Sequence, residues 1–209
     1  MSQLDAALLR AALGRCVIGR EIIVLEQAAS TNDVVLQMAT PNVGEGLVVL
    51  AEEQTAGRGQ HGNQWESARG LGLWFSILLR PKIPLEQSAR LTDWAARTVA
   101  ETVRGQFDVS PNVKPPNDVY LADRKIAGVL VEMRAQKNDS HFAIAGIGIN
   151  VNQTPDDFSN GVRLHAGSLA MALGRSLDRH ALAVALLRNL DGSYGANFGG
   201  SSSPLLDVN

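Results

Sequence analysis

Two stretches of the chain carry residue types that can handle a negatively charged group. One is the loop Gly57-Arg58-Gly59-Gln60-His61-Gly62-Asn63-Gln64-Trp65, and the other is Lys114-Pro115-Pro116-Asn117-Asp118. Glycine carries no Cβ, so a ligand can come close to the backbone there. Arg58 can offer a planar fork of donors and Lys114 a compact charge, both suited to phosphate or carboxylate. Trp65 can stack on a flat ring.

A literal pattern search gives a different answer, and context rejects it. Gly57, Gly59 and Gly62 fit the G-x-G-x-x-G fingerprint of dinucleotide-binding folds and follow the apolar run Leu47-Val48-Val49-Leu50-Ala51. That fingerprint needs a helix opening at the third glycine, because the helix N-terminus holds the pyrophosphate. Here Asn63, Trp65, Gly70 and Gly72 follow, then an apolar stretch from Leu73 to Leu79 that reads as a buried strand. A glycine-lysine-Ser/Thr phosphate loop is absent as well. His61 is the one histidine in the constellation. His141, His165 and His180 are scattered without metal-ligand spacing, so neither a protein metal site nor Ser-His-Asp chemistry is expected.

The chain has 209 residues, 45% of them hydrophobic, enough for one well-filled core. Its net charge of −2 does not recommend nucleic acid or an anionic membrane as partner. The single cysteine, Cys16, is expected to be a buried structural thiol. Asp5, Arg10 and Arg15 interrupt any N-terminal apolar run long enough for a secretion signal or membrane span, and the chain reads as cytoplasmic.

These residues must be positioned by a mixed fold. Helical spacing marks residues 3–14 and 85–103, the latter stopped by Gly105, and residues 179–190. Ser30-Thr31-Asn32-Asp33 offers a set of N-cap residues before Val34, Val35, Leu36 and Met38, so a helix should begin there and capping is the simplest use of the set. Strands are expected at 22–25, 47–51, 73–79, 119–121, 126–133 and 142–151, with Ala122-Asp123-Arg124-Lys125 closing a hairpin. Asn117-Asp118 suits a turn after two prolines. The fold class is α+β, with a mainly antiparallel sheet and helices packed to one side. Residues 1–190 form one domain; the Gly- and Ser-rich end, 191–209, reads as a poorly ordered tail.

Several segments, in order, resemble the biotin–protein ligases. They are Ser30-Thr31-Asn32, Gln54-Thr55-Ala56-Gly57-Arg58-Gly59, Gly62 with Trp65, and Phe75-Ser76 running to Leu79-Arg80-Pro81. Then come Lys114 with Pro116-Asn117-Asp118, Lys125-Ile126-Ala127-Gly128-Val129-Leu130-Val131-Glu132, and Gly146-Ile147-Gly148-Ile149-Asn150-Val151. The resemblance spans residues 22–190 and implies a monofunctional enzyme of the biotin/lipoate ligase fold. Such enzymes make biotinyl-5′-AMP from biotin and ATP, then transfer biotin to a lysine of a biotin carboxyl carrier protein. It implies biotin contacts from Ser30, Thr31, Asn32, Gln54, Gly57, Arg58, Gly59, Gln60, Lys114 and Gly128. ATP and adenylate contacts would come from Arg58, Gln60, Asn63, Trp65, Lys114, Asn117, Lys125 and Asn150. Arg58, Lys114 and Lys125 would be catalytic, and Mg2+ would arrive held mainly by the ATP phosphates.

The chain departs from the family pattern in places. Pro115 stands where tryptophan is usual, and Gln60 and Asn63 stand where bacterial relatives often carry arginine. Few residues precede Ile22, and the Gly/Ser-rich end follows the last helix, so neither a winged-helix DNA-binding domain nor a C-terminal β-barrel is expected. The resemblance leaves a homodimer open. Two other readings remain at this point: a lipoate or octanoyl ligase of the same fold, and a catalytically weak protein that binds biotin or its adenylate.

Overall fold

The computed structural model describes residues 3–136 and 141–199. Seven strands form one sheet: β1 Glu21–Leu25, β2 Leu47–Ala51, β3 Gly72–Leu79, β4 Asn112–Lys114, β5 Asp118–Leu121, β6 Arg124–Ala135 and β7 His141–Asn150. Their spatial order is β1-β2-β3-β7-β6-β5-β4. Only β1 and β2 run parallel, and every other pair is antiparallel. Five α-helices accompany the sheet: α1 Ala6–Leu13, α2 Thr31–Met38, α3 Ser88–Phe107, α4 Leu169–Leu173 and α5 Arg179–Phe198.

Side chains alternate across a strand, so each strand feeds two faces. Leu73, Phe75, Ile77 and Leu79 of β3 point into the larger core with Ala143, Ala145, Ile147 and Ile149 of β7, and α3 and α5 close over them. Leu78 points the other way, into a smaller cluster with Val49, Ile144 and Val35 of α2. The helices therefore do not all lie to one side. α2 sits on the opposite face because Val35 is the only fully buried apolar residue it offers, enough for a small contact.

Several boundaries differ from the sequence reading. α3 runs past Gly105 to Phe107, whose ring packs against the core, and ends where Asp108 turns left-handed at φ 52°. Aspartate tolerates that conformation. The β5–β6 hairpin turns on two residues, Ala122 and Asp123, both left-handed at φ 48° and 62°, so Arg124 and Lys125 belong to the strand. Two left-handed centres match the twist of a tight hairpin. β4 and α4 are too short to carry a periodicity.

The largest correction concerns the chain's end. α5 continues from Leu190 to Phe198, so residues 191–198 are helical, and residues 200–209 of the expected tail lie outside the described residues. Tyr194 and Phe198 pack with Trp94 of α3 in a three-ring cluster with centroids 5.4–5.6 Å apart. Each such pair contributes about 0.5–1.5 kcal/mol beyond its burial, more than offsetting Gly192 and Gly195 in the helix. Asp191 also accepts the amides of Val17 and Ile18. Cys16, just before them, is half-buried rather than in the core. Burial is still the main cause raising its thiol above the usual value, with Asp191 adding to it.

At the N-terminal end of α5, Arg179 and Glu52 form an ion pair at 2.8 Å, both about 95% buried. Glu52 also accepts the amide of Leu4, and Arg179 donates to the carbonyl of Gly72. One charged pair thus ties the N-terminal segment, the end of β2, β3 and α5 together.

Candidate active site

The face of the sheet that α2 leaves bare is lowered by glycines. Ser76, Gly146 and Leu130 form one row across β3, β7 and β6, and Trp74, Gly148 and Gly128 form the next. A Cβ at Gly146 would stand 2.2 Å from Oδ1 of Asn32, and one at Gly148 would stand 2.5 Å from Nε1 of Trp65. The two rows therefore seat Asn32 and Trp65 directly on the backbone. Between them opens a cleft of about 240 Å³, which Arg58, Lys114, Lys125 and Asn117 also line.

Asn32 lies in a buried polar row. Ser67 accepts from Nε2 of Gln54, whose Oε1 accepts the Thr31 amide at 2.8 Å. The Thr31 hydroxyl meets Ser76 at 2.7 Å, Ser76 donates to Oδ1 of Asn32 at 2.5 Å, and Nδ2 of Asn32 donates to Glu132 at 2.8 Å. Ser30 is the N-cap residue of α2 but its side chain makes no cap bond. Thr31 and Asn32, inside the helix, are buried in this row, so capping is not their use.

Glu132 joins this row to the glycine-rich loop. Arg58 reaches both Asp33 and Glu132 at 2.8 Å, and Arg134 reaches Glu132 at 2.8 Å from the outside. Burial by itself would raise the Glu132 carboxyl. The Asn32 amide and the two guanidinium groups outweigh it and hold the carboxyl below its usual value.

On the other side, Nζ of Lys125 lies 5.3 Å from the Trp65 ring and 2.6 Å from Asp118. Nζ of Lys114 stands 5.4 Å from the Tyr120 ring, and among the described residues it has no carboxylate partner. The peptide joining Pro115 and Pro116 is cis. Beyond Trp65 lies a second cavity of about 180 Å³, walled by Trp65, Tyr120, Lys125, Phe158, Val162 and His165.

Most residues expected at the site line the main cleft: Ser30, Thr31, Asn32, Gln54, Arg58, Gly59, Gln60, Asn63, Trp65, Lys114, Asn117, Lys125 and Gly128. Two do not. Gly57 is closed over by the loop itself, since a Cβ there would stand 2.4 Å from the Trp65 carbonyl. Asn150 is buried and lines the second cavity, with Nδ2 donating to the carbonyl of Gly167 at 2.9 Å and Oδ1 accepting from Gln153.

Other expected site residues have partners of their own within the protein. Gly59 donates its amide to the Asn63 carbonyl at 2.7 Å, which closes the tight return of the loop. Gly128 lies under Trp65 and Lys125, away from the Asn32 row. Asn117 spends its amide on the Val129 carbonyl at 3.1 Å.

Sequence reasoning gave Asp33 only a share in an N-cap set and assigned no site role to Ser67, Ser76 or Glu132. Serines and acids on a strand or helix look like surface until the pairing is known. Gly146 and Gly148, spaced two apart on one strand, were the signal that something large approaches that face.

The chain is similar in sequence and fold to known proteins. The profile of the biotin/lipoate A/B protein ligase family matches residues 24–150. The bifunctional ligase/repressor BirA of Bacillus subtilis is 39% identical over 163 residues, 78% of this chain and 50% of that protein. The biotin–[acetyl-CoA-carboxylase] ligase of Mycobacterium tuberculosis is 34% identical over 177 residues, 82% of this chain and 63% of that protein. The chain thus spans about half to two thirds of these curated relatives' length. The biotin protein ligase of Aquifex aeolicus, solved in complex with biotin and ATP, superposes with a TM-score of 0.72 at 30% identity, covering 87% of this chain and 73% of that one.

Proposed function

The chain belongs to the biotin/lipoate A/B protein ligase family, and from that premise we propose that it is an ATP-dependent biotin–protein ligase. The observation that carries this is the pairing in one cleft of the amide and hydroxyl groups of Thr31, Asn32 and Gln54, backed by the buried Ser76, with the cations Arg58, Lys114 and Lys125. The ureido ring of biotin is neutral and needs both donors and acceptors, which the row supplies. The cationic side answers the second requirement, two anions brought together.

In the first step a carboxylate oxygen of biotin attacks the α-phosphorus of ATP, the bond to the bridging oxygen breaks, and pyrophosphate leaves. Negative charge gathers where carboxylate meets phosphate, so fixed cations lower the barrier. Lys114, with no carboxylate partner among the described residues, is the group we assign to that charge, and Arg58 flanks it from the loop. Trp65, Lys125 and the cavity beyond them take the nucleotide side. Mg2+ would travel with the ATP phosphates, and among the described residues no group of three or more His, Cys, Asp or Glu could hold it.

In the second step the neutral amine of an acceptor lysine attacks the acyl carbon of biotinyl-AMP. AMP leaves as the amide forms, and the amine's proton passes to solvent. We take the acceptor to be a biotin carboxyl carrier protein, in keeping with what the relatives' names say of them, and the setting to be cytoplasmic, where ATP and such carriers meet.

The test is to incubate the purified protein with biotin, ATP and Mg2+, look for biotinyl-AMP by mass spectrometry, then add a carrier domain. Biotinyl-AMP followed by a biotinylated carrier is the expected result. Lipoate and octanoate run in parallel, and a carrier that takes up either of these but not biotin would replace the proposal with a lipoate-type ligase.

A further inference from the structure

Glu132 stands where the buried row meets the loop arginine, and all its partners are donors. Its Oε2 accepts from Nδ2 of Asn32 and Nη2 of Arg58, and its Oε1 accepts from Nη2 of Arg134 and Nη1 of Arg58. An ionised carboxylate can only accept, whereas the amide of an asparagine can face either way. With Glu132 opposite, Nδ2 of Asn32 must turn to the carboxylate and Oδ1 to Ser76.

The consequence runs along the row. Ser76 has one hydroxyl proton and gives it to Asn32, at 2.5 Å. Its contact with Thr31 at 2.7 Å is then one in which Thr31 donates. The Oε1 of Gln54 is left to the Thr31 amide at 2.8 Å, and the Thr31 hydroxyl, 3.1 Å away, turns its proton from it. Thr31, Asn32 and Ser76 are each at least 96% buried, so water does not complete an alternative arrangement.

We propose that Glu132 is a positioning residue that sets the direction of every hydrogen bond in the Asn32, Ser76 and Thr31 row, and thereby which donors and acceptors that row turns to the ureido ring of biotin. The inference rests on the biotin ligase reading above.

Glu132→Gln tests it at constant shape. If the new amide keeps its oxygen toward Asn32, its NH2 faces the guanidinium groups of Arg58 and Arg134. If it flips, NH2 meets NH2 at Asn32, and Asn32 must turn over and put its own NH2 against Ser76. Asn32→Asp added to Glu132→Gln restores a donor facing an acceptor across that pair and keeps an acceptor for Ser76. Ser76→Ala leaves Glu132 and Arg58 in place but cuts the row beyond Asn32.

Adenylate formation is followed while biotin and ATP are varied separately, with thermal melting as the check on folding. A hydrogen bond to a charged group corresponds to about a tenfold change or more in affinity. Glu132→Gln should raise the KM for biotin about tenfold or more and leave the KM for ATP within about twofold. Ser76→Ala should show the same selectivity, and the double variant should recover much of the loss.

Equal effects on the two substrates, an unaltered biotin KM in Glu132→Gln or in Ser76→Ala, or a folded double variant no better than Glu132→Gln would each overturn the proposal. Wild-type protein that neither binds biotin nor adenylates it would overturn the ligase reading, and this inference with it. Failure confined to the variants leaves the ligase reading standing.

Discussion

Gly148→Ala is the sharpest probe of the nucleotide side, because the structure sets how far one methyl group must push. A Cβ at Gly148 would lie 2.5 Å from Nε1, 2.6 Å from Cε2 and 3.1 Å from Cζ2 of Trp65. Ordinary contact is about 3.5 Å, so the indole must retreat by about 1 Å. Its backbone cannot follow, since the Trp65 amide is held by the Gly57 carbonyl at 2.9 Å, and Trp74 blocks one edge with ring centroids 6.3 Å apart. The ring therefore tips into the cleft and away from Lys125. Aromatic stacking on a base is worth about 1–3 kcal/mol, so losing it should weaken ATP binding about 5- to 150-fold. Biotin affinity should move less than about twofold. Calorimetric titration of each substrate reads both quantities. Gly128→Ala, whose Cβ would lie 2.9 Å from Cζ3, should produce the same pattern more weakly. In a Trp65→Ala background, Gly148→Ala should cost nothing further. An unchanged ATP affinity in Gly148→Ala, or an equal loss with and without the indole, would refute the seating of Trp65 on Gly148 as the feature that shapes the nucleotide side.

Gly146→Ala should do the reverse, because a Cβ there would stand 2.2 Å from Oδ1 of Asn32: biotin affinity falls and ATP affinity holds, and a loss shared by both substrates in paired titrations would argue against a divided cleft. Lys114→Ala should slow adenylate formation about 100-fold or more in a single-turnover assay while biotin affinity changes little, since the charge it answers grows only in the transition state; proportional losses in rate and affinity would make it an ordinary binding residue. Stability should carry the mark of Glu132 at low pH. Its folded-state pKa lies below the ordinary carboxylate value of 4.5, so its ionisation stabilises the fold fully above that value and less as pH falls through the folded-state pKa. The gap in urea midpoint between wild type and Glu132→Gln should therefore narrow below about pH 4.5, and a gap that stays constant down to pH 3 would count against that linkage.

What was legible in the sequence follows from range. The buried strands β2 and β3 announce themselves as apolar runs, the second interrupted only by Ser76, and α3 by its spacing, because each signal lies within one element. The tail misled because composition is also a local signal: four glycines and four serines in 192–203 read as disorder, whereas Tyr194 and Phe198 are decided by Trp94, about a hundred residues away. The cationic side of the cleft was likewise readable from Arg58, Lys114 and Trp65, whose types have few other shared uses.

The polar row was legible only by resemblance, and the reason lies in the pairing register. Ser76 is an unremarkable serine on an apolar strand until it is known to stand opposite Gly146, and Gly146 is a weak spot in a strand until Asn32 lies on it. Glu132, 100 residues beyond Asn32, reads as the polar end of a long strand. A one-residue slip of β3 against β7 would turn Ser76 into the apolar core and Phe75 toward Asn32, at the cost of a buried unpaired hydroxyl on one face and a collision on the other. The same alternation that fills the core with Phe75, Ile77 and Ile147 therefore places the row that Glu132 directs. Fold and site are encoded by one register, and a substitution that shifts it loses both together.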